Sequence, residues 1–422
     1  MDSFVYQGGE MVAESVPLAR IARDVGTPVY VYSLAALRAN YQAFATSMRG
    51  LDAELHYAVK ANSNLAVIRA FAAQGAGADI VSIGEMRRAL AAGVAASNIV
   101  FSGVGKKEVE LRQALEAGVR QINVESSAEL DTLDAVAKSL GRVVDIAIRV
   151  NPDVDAKTHA KITTGRKGNK FGIDIDLARD AYAHAASKKN LRPIGVAMHI
   201  GSQILSLEPY RDSIRKLRGL VGELRTDGHD IQRLDLGGGY GIVYRDQSNE
   251  RPFAVGDYME MVREETAGLG CALSFEPGRS LVGNAGVLLG EVILVKPGTA
   301  RTFVIIDAAM NDLIRPTLYE AWHDIVPSHE PAAGATLAAT DIVGPICESG
   351  DYLAQNRPMP PLAAGDVVVV KSAGAYGAVM SSTYNTRPLV PEVLVDGDRY
   401  EVIRPRQSLD DLLAADRVPE WL

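Results

Sequence analysis

Lys60 is the residue whose position in this sequence most suggests covalent chemistry. It ends a mostly apolar run, ELHYAVK (54–60), and the segment ANSN (61–64) then interrupts the pattern. Most lysines point into water, so a solvated strand end is the ordinary interpretation of such a residue. A lysine amine held at a strand end can instead form a Schiff base with a carbonyl compound.

The segment LDLGGGYG (234–241) is a second feature with a chemical use. Glycine has no side chain, so its backbone N–H group can approach an anion closely. In β/α barrels the loops after the seventh and eighth strands commonly hold phosphate. A flexible turn is the alternative, but this segment follows the seventh strand predicted below, and that position favours phosphate binding.

Glu276 and His199 also stand at the ends of apolar runs. A carboxylate that leaves water needs a cationic partner, because desolvation otherwise raises its pKa. An ordinary ion pair between Glu276 and nearby Arg279 would meet that need without any catalytic role. His199 could likewise be a core histidine satisfied by a backbone carbonyl.

Considered together, these groups meet the requirements of pyridoxal 5′-phosphate. This cofactor needs a lysine for its Schiff base, an acidic partner for its pyridinium nitrogen and donors for its phosphate. Lys60, Glu276 and the glycine segment 237–241 are candidates for the three tasks. Metal-assisted hydrolysis needs clustered histidine and carboxylate ligands. The seven histidines are scattered and include no His-x-His pair, so we predict no metal site.

Short β-rich runs that alternate with helical patterns must position these residues. The clearest helical pattern, 126–141, starts with the capping box Ser126-x-x-Glu129. Eight consecutive βα units predict a closed β/α barrel rather than an open sheet. The eight strand runs are 54–60, 77–82, 98–103, 121–126, 143–151, 193–201, 231–239 and 271–279.

The predicted fold class is therefore α/β, an eight-stranded parallel β/α (TIM-type) barrel with a second, mainly β domain. We place the barrel, which would hold the cofactor, at residues 26–275. A polar, glycine-rich insertion at 158–174 is interpreted as a loop at the barrel mouth. Strand-like segments with little helix follow residue 280, and they predict a β domain of sandwich or barrel type at 276–422, grouped with residues 1–25.

Composition excludes several classes of protein. The 422 residues carry a formal net charge of −8 and contain no basic block, so nucleic acid is not expected as a partner. Two cysteines, Cys271 and Cys347, are too few for a disulfide framework. The N-terminal residues do not resemble a signal peptide, and no apolar run is long enough to span a membrane. We therefore expect a cytoplasmic protein without a membrane partner.

Eight motifs follow one another along the chain: HYAVKAN (56–62), GADIVSIGE (77–85), HIGSQ (199–203), LDLGGGYG (234–241), EPGR (276–279), MNDLIRPTLY (310–319), CESGD (347–351) and GAYG (374–377). Over almost the whole chain, from Thr27 to Pro391, the sequence resembles the diaminopimelate decarboxylases. These are pyridoxal-phosphate enzymes with an alanine-racemase-like barrel and a C-terminal β domain. TTGRKGNKFGI (163–173) is similar to the insertion of that family. The resemblance implies decarboxylation of meso-2,6-diaminopimelate to L-lysine and CO2, the last step of lysine biosynthesis.

The resemblance also implies roles around the cofactor. Lys60 would form the Schiff base that the substrate amine displaces. Glu276 would keep the pyridine nitrogen protonated, so that the ring accepts the electrons left when carbon dioxide departs. His199 would stack on one ring face. The expected cofactor-binding residues are Lys60, Asp79, His199, Ser202, Gly239, Glu276, Pro277, Gly278, Arg279 and Tyr376.

The implied substrate carries an amino-acid group at each end, and the enzyme must recognise the end that does not react. A guanidinium pairs bidentately with a carboxylate, and a glutamate suits an ammonium group. For Arg315 and Tyr319, a structural ion pair and a packed ring are the alternatives. The expected substrate-binding residues are Arg279, Arg315, Tyr319, Glu348 and Tyr376.

In the family, the cysteine of the CESGD motif donates a proton after decarboxylation and comes from the neighbouring subunit. Cys347 would therefore be a catalytic residue beside Lys60 and His199. Cys347 and Glu348 would complete the site of a partner chain, so the implied active form is a homodimer with shared active sites.

Two alternatives remain open. Related barrel enzymes decarboxylate ornithine, arginine or carboxynorspermidine, but such enzymes need no residue for a distal carboxylate, so Arg315 favours diaminopimelate. A non-catalytic regulator on the same scaffold would be expected to lose the Schiff-base lysine or the phosphate loop, and both are present here.

Overall fold

The structure, a computed structural model, describes residues 3–156, 158–162, 164–165, 167–246, 251–299 and 301–422. The chain divides into two compact units. The barrel unit comprises Arg38–Ile242 and Glu250–Ser280. The sheet unit comprises Met1–Leu37, Val243–Asn249 and Leu281–Leu422.

Strands are numbered along the whole described chain. They are β1 (Phe4–Gln7), β2 (Glu10–Ala13), β3 (Val16–Pro17), β4 (Val29–Ser33), β5 (Ala53–Ala58), β6 (Gly77–Ile80), β7 (Ile99–Phe101), β8 (Gln121–Val124), β9 (Val144–Asn151), β10 (Ile173–Asp174), β11 (Leu191–Ala197), β12 (Arg233–Asp235), β13 (Ala272–Phe275), β14 (Gly286–Pro297), β15 (Thr302–Ile306), β16 (Ile325–Pro327), β17 (Ala338–Val343), β18 (Tyr352–Met359), β19 (Val367–Val370), β20 (Glu392–Asp396) and β21 (Arg399–Arg404).

Helices are numbered in the same way. They are α1 (Leu18–Val25), α2 (Leu34–Ser47), α3 (Leu65–Ala72), α4 (Ile83–Ala91), α5 (Glu108–Ala117), α6 (Ser127–Ser139), α7 (Ala178–Ser187), α8 (Glu208–Thr226), α9 (Val255–Thr266), α10 (Arg279–Val282), α11 (Arg315–Tyr319) and α12 (Leu409–Leu413). None of the described helices is both long and apolar enough to cross a membrane.

Eight parallel strands form a closed barrel in the barrel unit. Strands β5 to β9 pair in chain order, and β11, β12 and β13 continue the series. The final pairing joins β13 to β5, with Leu273 beside Ala53 and Phe275 beside Leu55. The predicted TIM-type barrel is thereby confirmed, and each of the eight predicted runs overlaps one of its strands.

Helix α6 shows how local chemistry sets an element's start. The hydroxyl of Ser126 accepts a hydrogen bond from Glu129 N, as the predicted cap requires. The Glu129 carboxylate, however, accepts from Glu125 N instead of closing the capping box on Ser126. The reason is Lys106, whose buried ammonium lies 2.7 Å from the other Glu129 oxygen.

The insertion at 158–174 lies partly within the described residues. Thr163 and Arg166 of the predicted family segment fall outside them. Ile173 and Asp174 form β10, which runs parallel to the end of β9. The Thr164 hydroxyl donates to the carbonyl of His199 at 2.6 Å, so this part of the insertion is attached to the end of β11.

The sheet unit is built on strands in the order β18-β17-β15-β14-β4-β20-β21, with β19 pairing to β14 and β16. This sheet-rich unit confirms the predicted second, mainly β part of the fold. Residues of β1–β3 and α1 share its buried core with Val31, Leu289, Val369 and Val393. A buried carboxylate, Glu392, is satisfied there by the Tyr32 hydroxyl at 2.6 Å and by Arg404 at 2.7 Å.

The unit boundaries differ from the domain limits that we placed at residues 26 and 275. Strand β4 follows residue 26, yet it pairs with β14 on one side and β20 on the other. These two ladders of hydrogen bonds hold the chain in the sheet unit as far as Leu37. Val243–Asn249 also belongs to the sheet unit, although it lies between two barrel strands in the sequence.

Candidate active site

The carboxyl ends of the barrel strands surround a cavity of about 400 Å³. Small-molecule sites commonly have such volumes, and barrel enzymes carry their sites at this end. The walls come from most of the barrel strands and from the insertion. The lining residues are Lys60, Val81, Ser102, Gly103, Val104, Gly105, Asn123, Arg149, Thr164, Phe171, Ala197, Met198, His199 and Glu276.

An ion pair between Lys60 and Asp79 forms one wall. Lys60 lies in a short 3₁₀ turn directly after β5, and Asp79 lies in β6. The Lys60 Nζ is 2.8 Å from Asp79 Oδ2; the carboxylate is fully buried, whereas 32% of the lysine side chain is exposed. The amine is therefore held in place while it remains accessible from the cavity.

Glu276 follows β13, and its environment is unusual for a carboxyl group. Its Oε1 is buried and has no hydrogen-bond partner among the described residues. Burial is the main cause that raises the pKa of Glu276 well above its usual value, and the charges of Asp235 and Asp79 add to it. Glu276 therefore holds a proton in the protein as it stands.

Asp235, at the end of β12, is the charged group that contributes most to the raised pKa of Glu276. Burial raises the pKa of Asp235 as well, but hydrogen bonds to its carboxylate oppose this effect. Asn123 donates to Oδ2 at 3.0 Å, and Gly237 N donates to Oδ1 at 2.9 Å. These donors favour the charged form of Asp235, and that charge in turn contributes to the raised pKa of Glu276.

His199 follows β11 and lines the cavity as a neutral ring. Burial, followed by the charges of Lys60 and Arg149, lowers the pKa of His199 well below its usual value. Gly238 N donates to Nδ1 at 3.2 Å, so this nitrogen is an acceptor. A neutral ring with an acceptor at Nδ1 carries its proton on Nε2.

Two glycines let the backbone pass close to neighbouring strand ends. Gly239 has a φ of +103°, and a Cβ there would lie 2.9 Å from the Tyr210 hydroxyl. A Cβ on Gly278 would lie 2.9 Å from the Cβ of Ala61, in the turn that carries Lys60. Both positions exclude side chains, which leaves backbone groups as the surface presented there.

Arg279 and Ser202, both predicted to bind the cofactor, contact each other. The Ser202 hydroxyl accepts from Arg279 Nε at 3.2 Å and from NH2 at 3.0 Å. The guanidinium is buried, and it lies at the start of α10. The carbonyl of Pro277 accepts from Ala58 N at 3.2 Å, which joins the end of β13 to the end of β5.

Arg149 is a cavity residue that the sequence reasoning missed. It is buried at the end of β9, pairs with Glu125 Oε1 at 2.9 Å and lies over the ring of Phe171 at 5.0 Å. The sequence did indicate this residue. An arginine inside the apolar run VVDIAIRVN is expected to be buried, and a buried charge needs a partner. Glu125, the residue directly after β8, provides it.

The remaining predicted residues lie in the sheet unit. Arg315 is buried and Tyr319 is half-buried, at the two ends of α11. Tyr376 is half-buried with a φ of +55°. Cys347 and Glu348 are exposed on a loop.

Asp351, the last residue of CESGD, anchors the loop that carries Cys347. Its buried carboxylate accepts from Met310 N at 2.7 Å and from Ile346 N at 2.6 Å. Burial raises the pKa of Asp351, and these two hydrogen bonds oppose the rise. The loop is thus held against Met310, the first residue of the MNDLIRPTLY motif.

The barrel cavity fits pyridoxal 5′-phosphate. The buried Oε1 of Glu276 lacks a partner, as expected of an acidic group that faces a ring nitrogen in the loaded protein. An accessible lysine amine is paired with a buried carboxylate. The close-packed glycines at 239 and 278 expose backbone rather than side chains to a phosphate. No described residues group three or more His, Cys, Asp or Glu side chains in a way that could hold a metal ion.

Comparisons with known proteins agree with this geometry. The family profile described as "Pyridoxal-dependent decarboxylase, pyridoxal binding domain" matches residues 34–283. The chain is 51% identical over 416 residues to the diaminopimelate decarboxylase of Pseudomonas aeruginosa, with 99% of each chain covered. It is 47% identical over 425 residues to that of Zymomonas mobilis, with 100% of each covered.

A solved structure shows the same similarity in three dimensions. It is the crystal structure of diaminopimelate decarboxylase from M. jannaschii in co-complex with L-lysine. The TM-score is 0.94 at 35% sequence identity, and the match covers 100% of this chain and 99% of that chain.

Glu276→Gln should change how the stability of the cofactor-free protein depends on pH. Folded Glu276 keeps a proton that the unfolded chain releases near the ordinary pKa of 4.5, so the wild type loses stability as the pH rises above that value. Glutamine has no such proton. Urea unfolding from pH 4 to pH 8 should therefore show the variant gaining stability relative to the wild type as pH increases. Glu260→Gln, at a site with 67% side-chain exposure, is the control; a difference independent of pH would contradict the assignment.

Proposed function

The chain belongs to the pyridoxal-dependent decarboxylases, and on this premise we propose that its barrel cavity is the site where meso-2,6-diaminopimelate becomes L-lysine and CO2. The protein is a pyridoxal-phosphate-dependent carboxy-lyase of the diaminopimelate decarboxylase type, which acts last in lysine biosynthesis. The observation that carries the site assignment is the accessible Lys60 amine paired with buried Asp79, in the same cavity as the unpartnered Oε1 of Glu276.

Three residues would hold the cofactor at its reactive end. When bound, pyridoxal phosphate supplies the electron sink that stabilises the negative charge left by departing carbon dioxide. Lys60 would attach covalently through Nζ, and Asp79 would orient that amine before attachment. Glu276 would face the ring nitrogen through Oε1, the oxygen that has no partner among the described residues, and would hold a proton between them.

His199 and the glycine-rich backbone would orient the cofactor. A neutral imidazole can lie against an aromatic ring without adding a charge, and Gly238 N fixes its orientation through Nδ1. Backbone around Gly239 and Gly278 would face the phosphate, with Ser202 and Tyr376 as hydroxyl donors. Pro277 and Arg279 would complete this set of cofactor-binding residues.

We assign recognition of the unreactive end of the substrate to Arg279, Arg315, Tyr319, Glu348 and Tyr376. The two guanidinium groups suit the distal carboxylate, and Glu348 suits the distal ammonium. The burial of Arg315 supports this role, because a carboxylate held beside a buried cation is screened little by water.

Cys347 would donate a proton from Sγ to the carbon that has lost carbon dioxide. Its exposure on an anchored loop is consistent with completing a site on a second chain. We accordingly propose a homodimer in which residues 276–422, with 1–25, contribute substrate-binding and interface residues, while the barrel holds the cofactor.

The substrate can be tested by measuring carbon dioxide release with added cofactor. Meso-2,6-diaminopimelate should be decarboxylated, whereas ornithine and arginine should react at least about a hundredfold more slowly in kcat/KM, since they leave the residues for the distal carboxylate unpaired. Equal kcat/KM values for diaminopimelate and ornithine would favour the related polyamine-type decarboxylases.

Lys60→Ala and Lys60→Arg should both remove covalent cofactor binding. Borohydride reduction of the wild type should attach the cofactor to the peptide that contains Lys60, as peptide mass spectrometry can show. The arginine variant retains a cation for buried Asp79, so it separates loss of the amine from loss of folding. Lys138→Ala, at an exposed position on α6, should label like the wild type. Labelling of another lysine in the wild type would end the assignment.

Cys347→Ala and Lys60→Ala subunits should complement each other if the active sites are shared. Each variant alone should lose most activity. Co-expression with two different tags and purification over both should isolate hybrid dimers, in which one of two sites has both residues, so about half of the wild-type activity should return. Hybrid dimers as inactive as the parents would show that Cys347 serves the site of its own chain.

A further inference from the structure

Arg315 is held by two aromatic side chains of the sheet unit. Its NH1 lies 2.6 Å from Nε2 of His323, eight residues along the chain. Its guanidinium carbon lies 4.3 Å from the ring centre of Tyr244, in the geometry of a cation–π contact. The two rings also touch each other edge to face, with their centres 5.2 Å apart. The guanidinium group is therefore held by a hydrogen bond to His323 and by the ring face of Tyr244, and these two rings support each other.

The hydrogen bonds of His323 determine which nitrogen accepts from Arg315. The side chain is fully buried, and Nδ1 lies 2.8 Å from the carbonyl of Lys371. A carbonyl can only accept, so Nδ1 carries the proton and donates it. Nε2 is then an acceptor, which suits the N–H of Arg315. His323 thus binds Arg315 as a neutral ring.

A neutral acceptor has a specific advantage for a residue that binds a carboxylate. A carboxylate from the protein in this place would orient Arg315 but would also compete with the substrate for its charge. Neutral His323 fixes the group and leaves the positive charge uncompensated by that contact. A guanidinium group is planar. The hydrogen bond to His323 and the contact with the Tyr244 ring therefore together fix the direction in which its other N–H groups point.

The partners of Arg315 are themselves fixed. Lys371 N donates to the carbonyl of Asp324 at 2.8 Å, so the His323 ring and the backbone of the next residue are both attached to Lys371, directly after β19. Asp246 N donates to Asp324 Oδ2 at 2.7 Å, and Lys371 Nζ pairs with Asp246 at 2.7 Å. These contacts hold the segment that carries Tyr244 against the same region.

We propose that His323 and Tyr244 are positioning residues that orient Arg315 for the distal carboxylate of the substrate. The proposal rests on the function proposed above for Arg315 and extends it to the two residues that contact its guanidinium group. They act on substrate recognition, so their loss should raise KM far more than it lowers kcat.

Steady-state kinetics of the loaded enzyme with meso-diaminopimelate provides the first test. His323→Phe keeps a ring beside Tyr244 but removes the acceptor, and KM should rise about tenfold to a hundredfold, the loss expected for one hydrogen bond to a charged group. His323→Gln should restore most of the affinity, since its amide oxygen can accept from Arg315. His329→Gln is the matched control, because His329 is exposed in the same unit. An unchanged KM for His323→Phe would overturn the proposal.

A double-mutant cycle separates positioning from a merely structural role. If His323 acts only through Arg315, then His323→Phe should raise KM no further in the Arg315→Ala background. A further tenfold rise in that background would overturn the proposal while leaving the function of Arg315 intact. A normal KM for Arg315→Ala alone would instead refute the proposed function of Arg315, and the positioning proposal with it.

Equilibrium binding of L-lysine to the loaded enzyme tests the same point without catalysis. The product keeps the carboxylate that does not react, so calorimetry should show it binding about tenfold or more weakly to His323→Phe. Tyr244→Leu leaves His323 in place and should weaken L-lysine in the same direction, which keeps the test decisive if the phenylalanine variant folds poorly. Wild-type affinity in Tyr244→Leu would overturn the proposal, and so would wild-type affinity in a folded His323→Phe.

Discussion

The parallel pairing of β13 with β5 is the constraint on which the candidate site depends. Glu276 follows β13 and Lys60 follows β5, so these residues, far apart in the sequence, share a cavity only because the barrel closes between them. The carbonyl of Pro277 strengthens the junction by accepting from Ala58 N. Close packing of Gly278 against Ala61 then leaves no room for a side chain at that point. The positions of Lys60 and Glu276 in the cavity thus depend on how the backbone of these two strands is paired and packed.

The electrostatics of the cavity follow from that convergence. Three carboxyl groups, Asp79, Asp235 and Glu276, are buried near one another, and they cannot all be charged without large cost. Lys60 compensates Asp79, while Asn123 and the backbone N–H of Gly237 donate to Asp235. Glu276 is left as the protonated member of the set, with one oxygen unpartnered. The same principle of neutral partners recurs at Arg315, where a neutral histidine orients a cation without cancelling its charge.

Much of this arrangement could be predicted from local sequence. The eight apolar runs became the eight barrel strands, because their spacing and periodicity depend on neighbours in the chain. Prediction from sequence was less complete where a side chain or a strand pairs with a residue that is distant in the chain rather than with a near neighbour. Lys106 draws the Glu129 carboxylate away from the expected capping box, and β4 joins β14 and β20 although it precedes the barrel in sequence. Arg149 was missed because its partner Glu125 follows a different strand, β8, and is distant in the sequence.

The sequence by itself determined the fold class, the family and the residue types available for chemistry, since these reside in periodicity and in short motifs. Tertiary structure alone decided which groups are charged. The proton on Glu276, the neutral ring of His199 and the acceptor nitrogen of His323 all depend on burial and on partners distant in the chain. Desolvation and hydrogen bonding set these states, and both arise only after the strands and loops have packed.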